Sequence, residues 1–147
     1  MTAKLRAPLF HAAPALLLAA LFPLFVGCGK AKKAGEDSVQ HALPDSAAVY
    51  YYRLPWEGDF AGYVAAMHSC DNATPEYRQR METYLRDYQS SLAQEKGGGP
   101  ASVSVAGRQL SADGTYARVF LSVAYKDGTA EEVQFPMVFA GGKWRIQ

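Results

Sequence analysis

A cationic excess, a disulfide framework and a membrane-length apolar run are all missing from this 147-residue chain. Its 15 lysines and arginines face 14 aspartates and glutamates. That balance offers no basic field for nucleic acid and no strong acidic one. Two cysteines, Cys28 and Cys70, cannot build a disulfide-stapled scaffold. The three histidines, His11, His41 and His68, are scattered and lack the spacing of a structural zinc site. The apolar stretch free of charge and histidine, Ala12 to Val26, is about 15 residues, short of the roughly 20 that a spanning helix needs. Pro14 and Pro23 interrupt it as well.

What is present at the start is a basic pair, Lys4 and Arg6, then the apolar segment to Val26, then Gly27-Cys28. A small residue just before a lone cysteine resembles the lipobox of bacterial lipoproteins. Phe25 departs from that pattern by standing where leucine is usual, with Leu24 displaced by one. The resemblance implies a signal peptide over residues 1–27, cleavage before Cys28 and acylation of Cys28. Several acyl chains on one cysteine make a stable anchor where one chain would be marginal. A simple secretory signal and an uncleaved anchor are the alternatives.

Cleavage there would leave 120 residues, one domain's worth, with 13 basic against 14 acidic side chains. Cys70 would then have no intramolecular partner. It reads as a buried small hydrophobe, with a reactive thiol or an intermolecular disulfide as the other options. Gly29 after the cysteine lacks the aspartate that resembles an inner-membrane retention signal. The expected location is therefore the cell envelope, on the periplasmic side of the outer membrane. Residues 28–43 are polar and small, including Lys30, Lys32 and Lys33, and read as a flexible lipidated tether.

Residues 44–147 read as one α+β domain. Asp45 is placed to cap a helix over Ser46 to Leu54 that Pro55 ends. Asp59 can cap a second helix with Phe60, Tyr63, Val64 and Met67 on one face. Thr74-Pro75 opens a third. There Tyr77, Met81, Tyr84, Leu85, Tyr88 and Leu92 form one apolar stripe expected to face the core. After Pro100 the period changes from 3.6 to 2. Four runs of alternating residues are separated by Asp113-Gly114, Asp127-Gly128 and Gly141-Gly142, and such short loops predict an antiparallel meander. Side-chain parity decides the register. A three-residue loop at Lys126-Asp127-Gly128 sets Leu121 opposite Val133, Val119 opposite Phe135 and Ala117 opposite Met137. The same loop form at Ala112-Asp113-Gly114 sets Val105 opposite Leu121. A two-residue turn at Gly141-Gly142 matches Phe139 with Trp144 and Met137 with Ile146. The apolar face so formed needs a cover, which the three helices are expected to supply.

Three helices followed by a curved antiparallel meander resemble the cone-shaped fold of nuclear transport factor two-like (cystatin-like) domains. The wording is similar to small Gram-negative lipoproteins carrying a domain of unknown function with that fold. The matching residues are Glu57-Gly58-Asp59-Phe60, Ser69-Cys70-Asp71, Thr74-Pro75-Glu76-Tyr77-Arg78, Tyr125-Lys126-Asp127-Gly128-Thr129 and Gly142-Lys143-Trp144-Arg145. The resemblance spans roughly Asp45 to Gln147. It implies a fold and an envelope location, while related domains include ligand binders, isomerases and hydratases.

Enzymes of that superfamily use a carboxylate, His or Tyr inside the cone. The inward-facing sheet positions of this chain carry none that ionises, with Glu131 at the rim, which argues against catalysis. No catalytic residue, metal site or cofactor is expected. A helix-end cluster of His68, Cys70 and Asp71, with Tyr84, is the candidate pocket site, read first as a turn. Tyr116, Phe120 and Val138 on the outer sheet face are the candidate interface. The expected role is binding, of a small apolar ligand in the cone or of an envelope protein or second copy on the outer face. A small isomerase- or hydratase-type enzyme is the alternative. An open cone holding His68 or a buried carboxylate favours the enzyme, and a filled cone favours the interaction module.

Overall fold

The structure, a computed structural model, describes residues 43–147. Cys28, the signal segment and the tether through residue 42 lie outside the described residues. Helices α1 (Pro44–Arg53), α2 (Phe60–Ala66) and α3 (Pro75–Glu95) precede strands β1 (Pro100–Leu110), β2 (Tyr116–Tyr125), β3 (Ala130–Ala140) and β4 (Lys143–Ile146). The strands form one antiparallel sheet in the order β1-β2-β3-β4. Short 3-10 turns at Leu54–Glu57 and His68–Cys70 link the helices.

Turn chemistry and parity set the register as expected. Leu121 pairs with Val133, Val119 with Phe135 and Ala117 with Met137, while Phe139 meets Trp144 and Met137 meets Ile146. At Asp127-Gly128-Thr129 the aspartate accepts from both the Thr129 N–H and its hydroxyl, and Gly128 takes φ +87°. That left-handed step is what a glycine permits. The β1–β2 connection differs by one residue. Leu110 pairs with Ala117, so the loop is longer than the three-residue form, and a bulge between Val105 and Gly107 restores Val105 opposite Leu121. A bulge lets turn and parity disagree locally without turning the apolar face over.

The core lies between α1 and the sheet. On β2, alternate residues from Ala117 to Tyr125 are buried, joined by Phe135, Met137, Trp144 and Ile146. Helix α1 meets them through Pro44, Ala47, Ala48 and Tyr51, one face at i, i+3, i+4 and i+7. Small alanines let the helix lie close, and the Tyr51 hydroxyl donates to the Trp144 carbonyl at 3.0 Å. Asp45 is not the cap of α1. Pro44 takes the first helical position, where its missing N–H costs nothing, so Leu43 is the cap residue. Asp45 instead bonds Arg108 at 2.8 Å. Asp59 and Thr74 do cap α2 and α3, accepting from Gly62 N and Tyr77 N.

Helix α3 departs from expectation. None of its 21 residues is fully buried, and Tyr77, Tyr84 and Tyr88 are exposed. It packs on α2 and on the Leu54–Glu57 turn, not closely over the sheet. The apolar stripe identified a side of the helix, but nothing in a helical period sets how far that side stands from its neighbour. Its lower half, with Leu85, Tyr88 and Leu92, forms the wall of an open cleft instead of a sealed core. The expected cover of the sheet is thus supplied chiefly by α1.

Candidate functional site

The cleft between α3 and the β3 side of the sheet encloses about 540 Å³, within the range of small-molecule sites. The end of α1 contributes Tyr52 and the following 3-10 turn Trp56, while α2 contributes Tyr63 and the extended residue after it Met67. Leu85, Tyr88, Gln89 and Leu92 form the α3 wall, and Tyr125, Val133 and Phe135 the sheet wall. Trp56 is held tightly. Gly99 runs beneath its ring at φ +122°, and an added Cβ would stand 2.8 Å from Trp56 Cε3. Glycine is required there both for the backbone angle and for the space.

One end of the cleft is polar. Tyr125 donates its hydroxyl hydrogen to Glu131 Oε1. The Tyr52 and Tyr125 hydroxyls are 3.0 Å apart. Because a phenol has one hydrogen and Tyr125 has given its own to Glu131, Tyr52 is the donor of this second bond. Burial pushes the Tyr125 phenol well above its ordinary pKa, and the bond it donates to Glu131 pushes it further. Burial likewise raises Tyr52 and Tyr63. These phenols are neutral near pH 7 and serve as donors and acceptors, not as bases. Lys96 Nζ stands 3.6 Å from Glu131 Oε2 and 5.1 Å from the centre of the Tyr125 ring, without a hydrogen bond among the described residues.

On the α3 wall, Gln89 Nε2 is buried and has no hydrogen-bond partner. A buried amide donor left unmade costs free energy that a ligand acceptor would recover.

The cluster expected from the sequence sits elsewhere. His68 Nδ1 and Asp71 Oδ2 are 2.9 Å apart on the exposed loop before α3. Asp71 also binds the Arg145 guanidinium, which lowers its pKa, while Arg145 donates to the Ala65 and Met67 carbonyls. This is a clamp of β4 onto the α2–α3 connection. Cys70 is buried with a free thiol, and Tyr84 is 65% exposed and does not line the cleft. Among the described residues no group of His, Cys, Asp and Glu is placed to hold a metal ion.

The expected outer-face island is smaller than parity suggests. Tyr116 is exposed and Phe120 half-buried, but Val138 is only 6% exposed. Its cross-strand partners Tyr116 on β2 and Arg145 on β4 flank it. Arg145 therefore covers its own sheet while reaching Asp71. Phe139, expected to face inward, is 43% exposed at the sheet end, with its ring beside Trp144.

Gln89, Lys96 and Trp56 were not singled out by sequence reasoning. Trp56 follows a proline and precedes a Glu-Gly pair, which reads as punctuation. Gln89 is a polar residue next to the apolar stripe, and only the gap beside α3 gives it meaning. Tyr125 has the inward parity but reads as the last residue before a turn.

Compared with known proteins, the chain matches no family model and no curated protein. A crystal structure from Campylobacter jejuni, described as that of a proposed NTF2-like transpeptidase, is similar with a TM-score of 0.54. The similarity covers 76% of this chain and 94% of that one at 10% sequence identity. At that identity the likeness concerns the backbone alone and carries no activity across. The chain has the α+β, NTF2-like fold.

Proposed function

We propose that this protein is a lipid-anchored cell-envelope domain that binds a ligand without transforming it, and that the α3–sheet cleft is the binding site. The observation that carries the reading is Gln89 Nε2, an unpartnered buried donor in the wall of an open, largely apolar cleft. A site of this kind offers apolar contact to the body of a ligand and a few polar groups to orient it.

The chemistry of the cleft supports binding over catalysis. Its phenols are held neutral, and of its two lining glutamates Glu131 is engaged by Tyr125 and Lys96 while Glu95 lies beside Lys96. His68, the side chain whose presence inside would favour an isomerase-type enzyme, lies in the Asp71–Arg145 clamp. The envelope location rests on Lys4, Arg6, the apolar segment and Gly27-Cys28. Cys28→Ser should release the protein from membranes, and a variant that stays with them after a high-salt wash would count against the anchor.

The binding reading is tested with the mature chain in lipid nanodiscs and N-butylbenzamide, a small apolar probe carrying one carbonyl acceptor. Saturable change of Trp56 emission is expected, weaker by about threefold to tenfold in Gln89→Leu, as for loss of one hydrogen bond. An unchanged response in Leu92→Glu, which puts a charge in the wall, or no saturable response at all, overturns it.

A further inference from the structure

The β3 edge that borders the cleft is open over its first half. Strand β4 pairs only with Met137–Ala140, and Gln147 N–H adds one bond to the Pro136 carbonyl. The phase of the ladder follows from two bonds, Phe139 N–H to the Thr115 carbonyl and Tyr125 N–H to the Thr129 carbonyl. Odd-numbered residues of β3 therefore direct their backbone groups to β2, and even-numbered ones away from it. Ala130, Glu132 and Gln134 are exposed, and their backbone N–H and C=O groups have no partner among the described residues. Proline at 136 has no N–H to leave unpaired on that side.

We propose that the cleft takes an extended peptide segment, which adds as a fifth strand to β3 at Glu132 and Gln134 and lies against α3. The proposal rests on the cleft being the binding site and names its ligand class. A donor and an acceptor recurring at every second residue, about 7 Å apart, match another extended backbone. An acyl chain or a compact metabolite leaves them unmade. Gln89, on the opposite wall, has an unpartnered side-chain amide N–H that a carbonyl on the far side of such a strand would satisfy. Leu85, Tyr88 and Leu92 on α3, with Val133 and Phe135 on β3, give apolar contact to its side chains.

Charge selects the segment further. Glu95 and Glu131 line the cleft at the hairpin end with Lys96 between them. Two carboxylates against one ammonium in the lining favour a basic side chain on the incoming peptide at that end. A second copy pairing β3 to β3 is disfavoured, because α3 forms the other wall of the groove beside that edge.

The test begins with selection of a displayed library of random twelve-residue peptides against the mature full-length chain in nanodiscs. The selected peptide is then synthesised with backbone N-methyl groups at alternate residues, in each of the two phases. Methylation in one phase is expected to weaken binding about tenfold or more and in the other phase much less. Amide exchange of Glu132 and Gln134 should slow on binding. Gln134→Pro, which removes an edge N–H without touching the β2 ladder, should weaken the unmodified peptide by a similar factor. The methylated peptides keep the result independent of whether that variant folds. No enriched peptide, equal loss in both phases, or a dimer forming through β3 in sedimentation velocity each overturns the proposal. Saturable N-butylbenzamide binding without peptide binding removes the peptide and leaves the cleft reading, whereas loss of both removes both.

Discussion

Tyr125 and Glu131, six residues apart across the β2–β3 turn, share a hydrogen bond in which the phenol's only proton is committed to the carboxylate. Everything polar at that end of the cleft follows from this commitment. Tyr52 must donate to Tyr125, Glu131 keeps one oxygen for Lys96, and neither phenol has a proton to spare for a ligand.

Alkaline pH should unfold the protein cooperatively. Tyr125, Tyr52 and Tyr63 all have folded pKa values above the ordinary 10.0, chiefly because burial disfavours the phenolate. A raised pKa contributes stability that is full below the unfolded value and is lost as pH rises through the folded one. Tm should therefore be flat to about pH 9 and fall above about 10. Tyr52→Phe should shallow that fall. Tyrosinate absorbance that develops without loss of the far-ultraviolet dichroism would contradict the assignment.

Acid acts through the hairpin turns. Asp113 accepts from Ser111 and from both the N–H and the hydroxyl of Thr115, bonds that hold its pKa down at about 2 against an ordinary 3.8. Asp127 is lowered in the same way by Thr129. A depressed carboxyl pKa gives stability that is present above the unfolded value and is lost as pH falls through the folded one. Tm should drop between about pH 4 and 2. Asp113→Ala should lower Tm at neutral pH and flatten the acid limb. An unaltered acid limb in Asp113→Ala would show that the turn contributes nothing.

The two leucines expected to be core should now behave differently. Leu121 has no exposed surface, so Leu121→Ala should cost roughly 2–5 kcal/mol in urea unfolding. Leu85 is half-buried in the cleft wall, and Leu85→Ala should cost under about 1 kcal/mol. Equal costs would mean that α3 closes onto the sheet in solution.

Gly99→Ala strains the chain twice, at φ +122° and against the Trp56 ring. A cost of about 1–3 kcal/mol is expected, with a shift of Trp56 emission that Gly98→Ala, where an added Cβ meets nothing, does not produce. Identical emission in both variants would separate Gly99 from the cleft.

Much of the sheet is legible in the order of its amino acids. Its registers depend on a period of two and on a few turn residues, so Asp127-Gly128-Thr129 and the parity of Leu121, Val133 and Phe135 suffice. Where a bulge intervenes, at Ala106, the pairing near the β1–β2 turn differs by one residue from the expected one and the apolar face survives. The caps Asp59 and Thr74 are legible for the same reason, since each acts on a backbone N–H three residues away.

The site is not legible there, because it is a distance and not a pattern. The apolar stripe of α3 is compatible with a helix pressed on the sheet or standing clear of it. Which one occurs is decided by contacts far apart in sequence: Trp56 over Gly99, α3 against α2, and β4 ending before it can cover the first half of β3. Gln89 is an ordinary surface glutamine in the first arrangement and an unpartnered donor in a cleft wall in the second. Local chemistry therefore determined the strands, their pairing and the helix ends. Only the summed long-range packing decided that the helix nearest the open β3 edge would leave room beside it.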